Sequence, residues 1–161
     1  MYSKKMAADK TTSYLVSRFF YLPHIYSILC DQIKDVWGAH NLLENIESGK
    51  VWVFGAFSAH NDRLAGCCYG EMENGYFVTH LLFCRKVNAV HGVDLCFQEL
   101  KKYCREQNIT LYGARGYIPE EFRTAKRFAR KFGCQDYGIA REASFLKNNQ
   151  NIPCREFIIG V

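Results

Sequence analysis

His80 stands inside an apolar, aromatic run, YFVTHLLFC at 76–84, and the turn that follows carries Arg85, Lys86, Asn88 and His91 before Gly92. Imidazole titrates near neutral pH, so His80 can take a proton from a substrate; the competing reading is a core histidine hydrogen-bonded to a neighbour. Cationic side chains beside a glycine at a helix start suit an anion, because glycine lets backbone amides approach it closely. His91 is accordingly either a phosphate contact or a surface turn residue. Glu71 and Glu73 flank a hairpin signal, where they act on a proton through water or stand as ordinary exposed carboxylates. Cys84 is a poor nucleophile, since nothing near it in sequence marks a lowered thiol pKa.

The elements that position these residues run from 76 to 133. The run 76–84 is too short for a buried helix and rich in β formers, which predicts a buried central strand. Val93, Cys96, Phe97, Leu100, Tyr103 and Cys104 recur at helical spacing. ITLYGA at 109–114 reads as a second strand, and Pro119, Glu120 and Glu121 suit the first turn of another helix. Phe122, Ala125, Phe128, Ala129 and Phe132 form that helix's apolar stripe, and Gly133 ends it. Strand, helix and strand make a crossover with both strands parallel in one sheet. A ligand is then expected outside the carboxyl end of the first strand, beside the turn at 85–92.

Upstream, residues 1–12 read as a frayed polar start and 13–18 as a short strand. Residues 24–37 (HIYSILCDQIKDVW) and 40–47 read as helices. The period then changes to two: 51–57 and 64–70 are strands, and Asn74–Gly75 is a hairpin turn into 76–84. Downstream, 136–146 and 152–159 are strands joined by a turn at 147–151. The fold class predicted is a mixed α/β sheet of the α+β type, an antiparallel meander followed by β-α-β-α and a terminal hairpin, in one domain.

The 161 residues are enough for a core without staples, and the eight cysteines contain no C-x-x-C pair. A zinc site is therefore not expected, and free, reduced thiols in a cytoplasmic protein are. No apolar run approaches about 20 residues, so no membrane span is expected. The net charge of +5 is modest and concentrates at Arg85–Lys86 and at Arg123, Lys126, Arg127, Arg130 and Lys131. The second group is either a solvated helix face or an anion-attracting one; no aromatics interleave it, which argues against nucleic acid.

This order of elements, with the segment IPEEFRTAKRFARKFGCQDYG at 118–138, resembles the GNAT superfamily of N-acetyltransferases. The early HIYSILCD, His80, the Ile118–Pro119 pair and the ending SFLKNNQNIPCREFIIG also resemble small GNAT-like proteins of tailed bacteriophages and prophages. The resemblance implies a V-shaped gap between two splayed strands that receives acetyl-CoA, with its pantetheine on a strand edge. It implies acetyl transfer to an amine of a small molecule or protein. The site residues it suggests are His80 as base, Tyr117 (or Tyr112) as acid, and Leu82, Phe83, Cys84, Arg85, Lys86, Asn88, His91 and Gly92 around acetyl-CoA. Backbone amides near Leu82 and Phe83 would stabilise the oxyanion.

The chain departs from that pattern. Where the superfamily has R/Q-x-x-G-x-G/A, this chain has Val87-Asn88-Ala89-Val90-His91-Gly92, and only the last glycine remains. The family's thiolate-protonating tyrosine falls at Ala129, and a frequent asparagine at Phe122. An alternative function follows: a GNAT-fold phage protein without efficient catalysis, acting in virion assembly or on a host protein in the host cytoplasm.

Overall fold

A computed structural model describes residues 1–84 and 87–161. Its centre is an antiparallel meander of β2 (Trp52–Phe57), β3 (Leu64–Glu73) and β4 (Tyr76–Phe83). Asn74 (φ 51°) and Gly75 (φ 82°) form the two-residue turn between β3 and β4, left-handed at both positions, as a right-twisted hairpin requires. After α5 (Ala89–Glu106) the chain returns as β5 (Gly113–Pro119), parallel to β4. Beyond α6 (Arg123–Phe132), β6 (Gln135–Lys147) and β7 (Gln150–Gly160) form the terminal hairpin, with β7 inserted beside β5. With β1 (Tyr2–Lys5) the sheet has, among the described residues, seven strands in the order β1-β2-β3-β4-β5-β7-β6.

Each face of this sheet has its own core. On one, α1 (Lys10–Phe20), α2 (Pro23–Tyr26), α3 (Asp31–Lys34) and α4 (Val36–Glu47) set Val16, Phe19, Ile25 and Ile46 against Val53, Cys67, Tyr69 and Leu82. On the other, Val93, Cys96, Phe97 and Leu100 of α5 meet Phe54, Phe77 and Ala114, with Phe128 and Phe132 of α6 packed alongside. Fully buried side chains such as Phe54 and Leu100 each contribute roughly 1.5–3 kcal/mol.

Several sequence expectations are corrected. Residues 2–5 are not a frayed start: β1 pairs with β2 from Tyr2↔Phe57 to Lys5↔Phe54, and Ser3 Oγ donates to Leu95 O at 2.8 Å. Residues 13–18 belong to helix α1 rather than a strand, because Asp9 caps Thr12 N–H at 2.8 Å and Val16, Phe19 and Phe20 bury one helical stripe. The helix expected over 24–37 is broken into α2, α3 and the start of α4, with Asp35 extended between the last two. Gly38 permits the tight approach, for a Cβ there would lie 1.7 Å from Gln32 O.

The strand expected over 109–114 lies later, at Gly113–Pro119. Tyr112 instead donates its N–H to Gly75 O and accepts from Val161 N–H, closing the end of the sheet. Pro119 ends β5 opposite Cys154 instead of starting a helix, and α6 begins at Arg123. Gly133 does end α6, in the left-handed conformation at φ 99°.

Candidate functional site

The parallel ladder between β4 and β5 holds only Tyr76↔Gly113, Phe77↔Ala114 and Val78↔Arg115. Past Val78 the two strands separate. In an antiparallel ladder alternate residues turn their N–H and C=O away from the partner strand. Cys84 N–H donates to Ala65 O, which fixes the phase of the β3–β4 ladder and turns the backbone groups of Leu81 and Phe83 toward the separation. Those of Leu82 turn to β3. The separation also uncovers the strand: Phe77 and Leu82 are buried, whereas His80 and Leu81 are exposed. The strand expected to be buried and central is central in the sheet, but it is buried only in part.

On the face under α1–α4, the two-residue period of β3 and β4 brings Tyr69, Glu71, Glu73, Val78 and His80 together. With Leu42 of α4, Val51, Gly70 and Met72 they line a cavity of about 340 Å³. His80 is stacked on Tyr69, ring centroids 5.1 Å apart and planes 24° apart. The imidazole makes no side-chain hydrogen bond with a described residue, so it is not the hydrogen-bonded core histidine of the competing reading. The residue as a whole is exposed, yet the protein around the ring disfavours the charged form and lowers its pKa. Burial raises the pKa of Tyr69.

Across the separation, β5 turns Arg115 and Tyr117 to the same face. Arg115 lies over the Tyr76 ring at 4.8 Å, and its Nε is 3.5 Å from the Glu156 carboxylate of β7. At that distance the pair is electrostatic, and Nε, shielded from solvent, has no hydrogen-bond partner among the described residues. Burial raises the Tyr117 pKa; Arg115 opposes this and Glu156 adds to it.

The structure places His80, Glu71 and Glu73 on one cavity wall and turns Tyr117 of β5 to the same face of the sheet, whereas the Phe83 ring packs in the core on the opposite face. Tyr112 is not among them, being 59% exposed beside Tyr76 and Gly75 at the opposite end of β4. Cys84 is half-buried, and burial raises its pKa, which agrees with its dismissal as a nucleophile. Arg85 and Lys86 lie outside the described residues. At the start of α5, the Asn88 side chain accepts from His91 N–H at 3.1 Å and its carbonyl from Gly92 N–H at 3.0 Å. Gly92 is required by packing: a Cβ there would meet the Phe83 ring at 2.4 Å.

Tyr69, Leu81, Arg115 and Glu156 were missed from sequence. Tyr69 lay within the predicted strand 64–70, but Glu71 shares its face only because β3 runs on to Glu73; Arg115 and Glu156 follow only from the β5–β7 register. On α6, Lys126 pairs with Glu120 and Arg130 with Asp136, so part of its basic face is neutralised. Among the described residues no cluster of histidine, cysteine and carboxylates is placed to hold a metal, and no helix is long and apolar enough to cross a membrane.

No protein-family model matches the chain, and no curated protein matches it in sequence. Solved structures do resemble it. A ribosomal L7/L12 alpha-N-protein acetyltransferase superimposes with TM-score 0.74 at 11% identity, over 100% of this chain and 91% of that one. An acetyl transferase from Salmonella typhimurium that modifies the N-terminal serine of ribosomal protein L7/L12 gives 0.72 at 10% identity, over 100% and 96%. A dodecameric spermidine N-acetyltransferase from Vibrio cholerae gives 0.67 at 13% identity, over 98% and 92%. The chain has the GNAT acetyltransferase fold.

Proposed function

We propose that the protein is an acetyl-CoA-dependent N-acetyltransferase acting on an amine. The observation that carries this reading is the loss of β4–β5 pairing beyond Val78 and Arg115, with His80 on the adjoining wall and the Leu81 and Phe83 backbone facing the gap. Acetyl-CoA supplies the acyl group as a thioester. The residues present fit it along the strand edge at Leu81, while Phe83 O is already bonded to His24 Nε2 at 3.0 Å. At the start of α5, Asn88 occupies the N–H groups of His91 and Gly92, which leaves those of Ala89 and Val90 and the exposed His91 ring for the diphosphate.

His80, neutral at physiological pH because its pKa is lowered, takes a proton from the ammonium form of the acceptor. One N–H of this strand edge, that of Leu81 or Phe83, stabilises charge developing on the carbonyl oxygen, because the two lie about 7 Å apart and cannot both reach it. As the C–N bond forms and the C–S bond breaks, Tyr117 gives its proton to the departing sulfur, and the second proton shed by the nitrogen restores Tyr117 through solvent. Its raised pKa keeps it protonated for that role.

A calorimetric titration with acetyl-CoA tests the reading. Binding, a higher melting temperature and amide protection at 81–83 and 87–92 are expected. If millimolar acetyl-CoA produces none of these, transfer is excluded, and the alternative of a phage or host-protein interaction factor takes its place.

A further inference from the structure

The face that carries His80 is acidic in a chain that is basic as a whole. Formal net charge is +5, yet the positions of β3, β5 and β7 on this face hold Glu71, Glu73 and Glu156 against Arg115. Arg115 is matched by Glu156 at 3.5 Å. Glu71 and Glu73 form no ion pair with any described residue, although both line the cavity. A second feature points to an occupant: Tyr69 is 6% exposed and lines the same cavity, and its hydroxyl makes no hydrogen bond with a described residue. Leu42, Val51 and Val78 supply apolar wall between these polar groups.

We propose that the acceptor is an amine whose carbon chain carries a second positive charge, held by Glu71 and Glu73 while the reacting nitrogen lies at His80. This rests on the acetyl-transfer reading. Tyr69 faces His80 across the ladder, and Glu71 and Glu73 follow it on the same face at steps of about 7 Å each. A short diamine spans one step, its methylenes lying along Val78 and Leu42. The Tyr69 hydroxyl, a donor and an acceptor, is placed to meet the nitrogen at the His80 end. A single carboxylate would select for charge alone; two carboxylates one step apart select for charge at a distance from the reacting nitrogen.

Three probes of equal chain length separate the cases: 1,4-diaminobutane, butylamine with no second charge, and 4-aminobutanoate with a negative one. Initial-rate acetylation is expected to give kcat/KM for the diamine about ten- to a hundredfold above butylamine, with 4-aminobutanoate lowest. The preference shrinks as salt is raised. In the Glu71→Gln, Glu73→Gln double variant the diamine-to-butylamine ratio falls to near one. Calorimetry without acetyl-CoA gives an independent readout, with the diamine binding the native protein more tightly than the double variant. Equal kcat/KM for diamine and butylamine, or a preference that survives the double substitution, overturns the proposal. If acetyl-CoA fails to bind but the diamine still binds through both glutamates, the transfer reading falls and the cation site stands. If the diamine does not bind, the cation site falls, whatever acetyl-CoA does.

Discussion

His80 owes its protonation behaviour to its surroundings rather than to a partner. With no carboxylate hydrogen-bonded to it among the described residues, the protein packed about the ring lowers its pKa below the ordinary value of about 6.5. The acid limb of kcat/KM is therefore expected below that pH, and His80→Gln should lower activity by about 10²–10⁴ and remove the limb. Activity within a few-fold of native would return His80 to a packing role. The stability consequence has a definite sign. The unfolded chain binds this proton at higher pH than the folded one, so stability falls as pH drops from about 6.5 toward the folded pKa, then levels. Gly92 offers a second test, because its lack of a side chain serves the Phe83 ring rather than a phosphate. Gly92→Ala is expected to cost about 1–3 kcal/mol by overpacking. Adding Phe83→Leu, which removes the ring carbons in the way, should recover part of that loss in thermal denaturation. If it recovers none, the glycine is needed for something other than this contact.

Among the elements, the β6–β7 hairpin depends on a residue far from it in sequence. Its turn residues Asn148 and Asn149, at φ 51° and 61°, donate their N–H groups to the Asp31 carboxylate at 3.1 and 2.9 Å. The Asn149 bond is the largest influence on Asp31; burial opposes it, and Asn148 and Lys34 add to it, leaving the pKa lowered. This tie is fully present above the ordinary carboxylate pKa and is lost as pH falls through the lowered one. Asp31→Ala should speed hydrogen exchange at Asn148 and Asn149 at neutral pH without altering exchange in β3; unchanged exchange at the turn would show that the tie does nothing. Such long-range pairs explain which parts of the fold were legible. The meander and the Asn74–Gly75 turn were readable because alternation and turn chemistry are local. The break between α3 and α4 was not, because it depends on Asp31 serving a hairpin more than a hundred residues away and on Gly38 meeting Gln32. The start of β5 was misplaced for a similar reason: Ile109–Tyr112 has strand-like residues, but pairing with β7 begins at Gly113. At the site, His80 and the hairpin glutamates were visible in sequence, whereas the Arg115–Glu156 pair required the register of β5 on β7.

At the scale of the whole molecule, two cores on opposite faces of one sheet enclose most of the thiols. Cys67, Cys68, Cys96, Cys104 and Cys154 are buried, and Cys30, Cys84 and Cys134 are half-buried. Thiolate is the reactive form, and burial raises the pKa of Cys67, Cys84, Cys104, Cys134 and Cys154. Cys68 is raised first by its hydrogen bond with Cys96, whose sulfur also donates to Phe54 O at 3.2 Å. Cys67 belongs to the core under α1–α4, whereas Cys68, Cys96 and Cys104 belong to the core under α5. Thiol labelling thus reports on both cores at once. In the native protein the three half-buried cysteines should react first, and slowly, with the remaining five silent. As urea is added, the five should become reactive along one transition, because opening either core breaks the β2–β3 ladder that the other shares. Labelling of Cys104 well before Cys67 would show that the α5 side opens alone and that the sheet does not couple its two faces. A fast reaction of all eight in native buffer would contradict the packing itself.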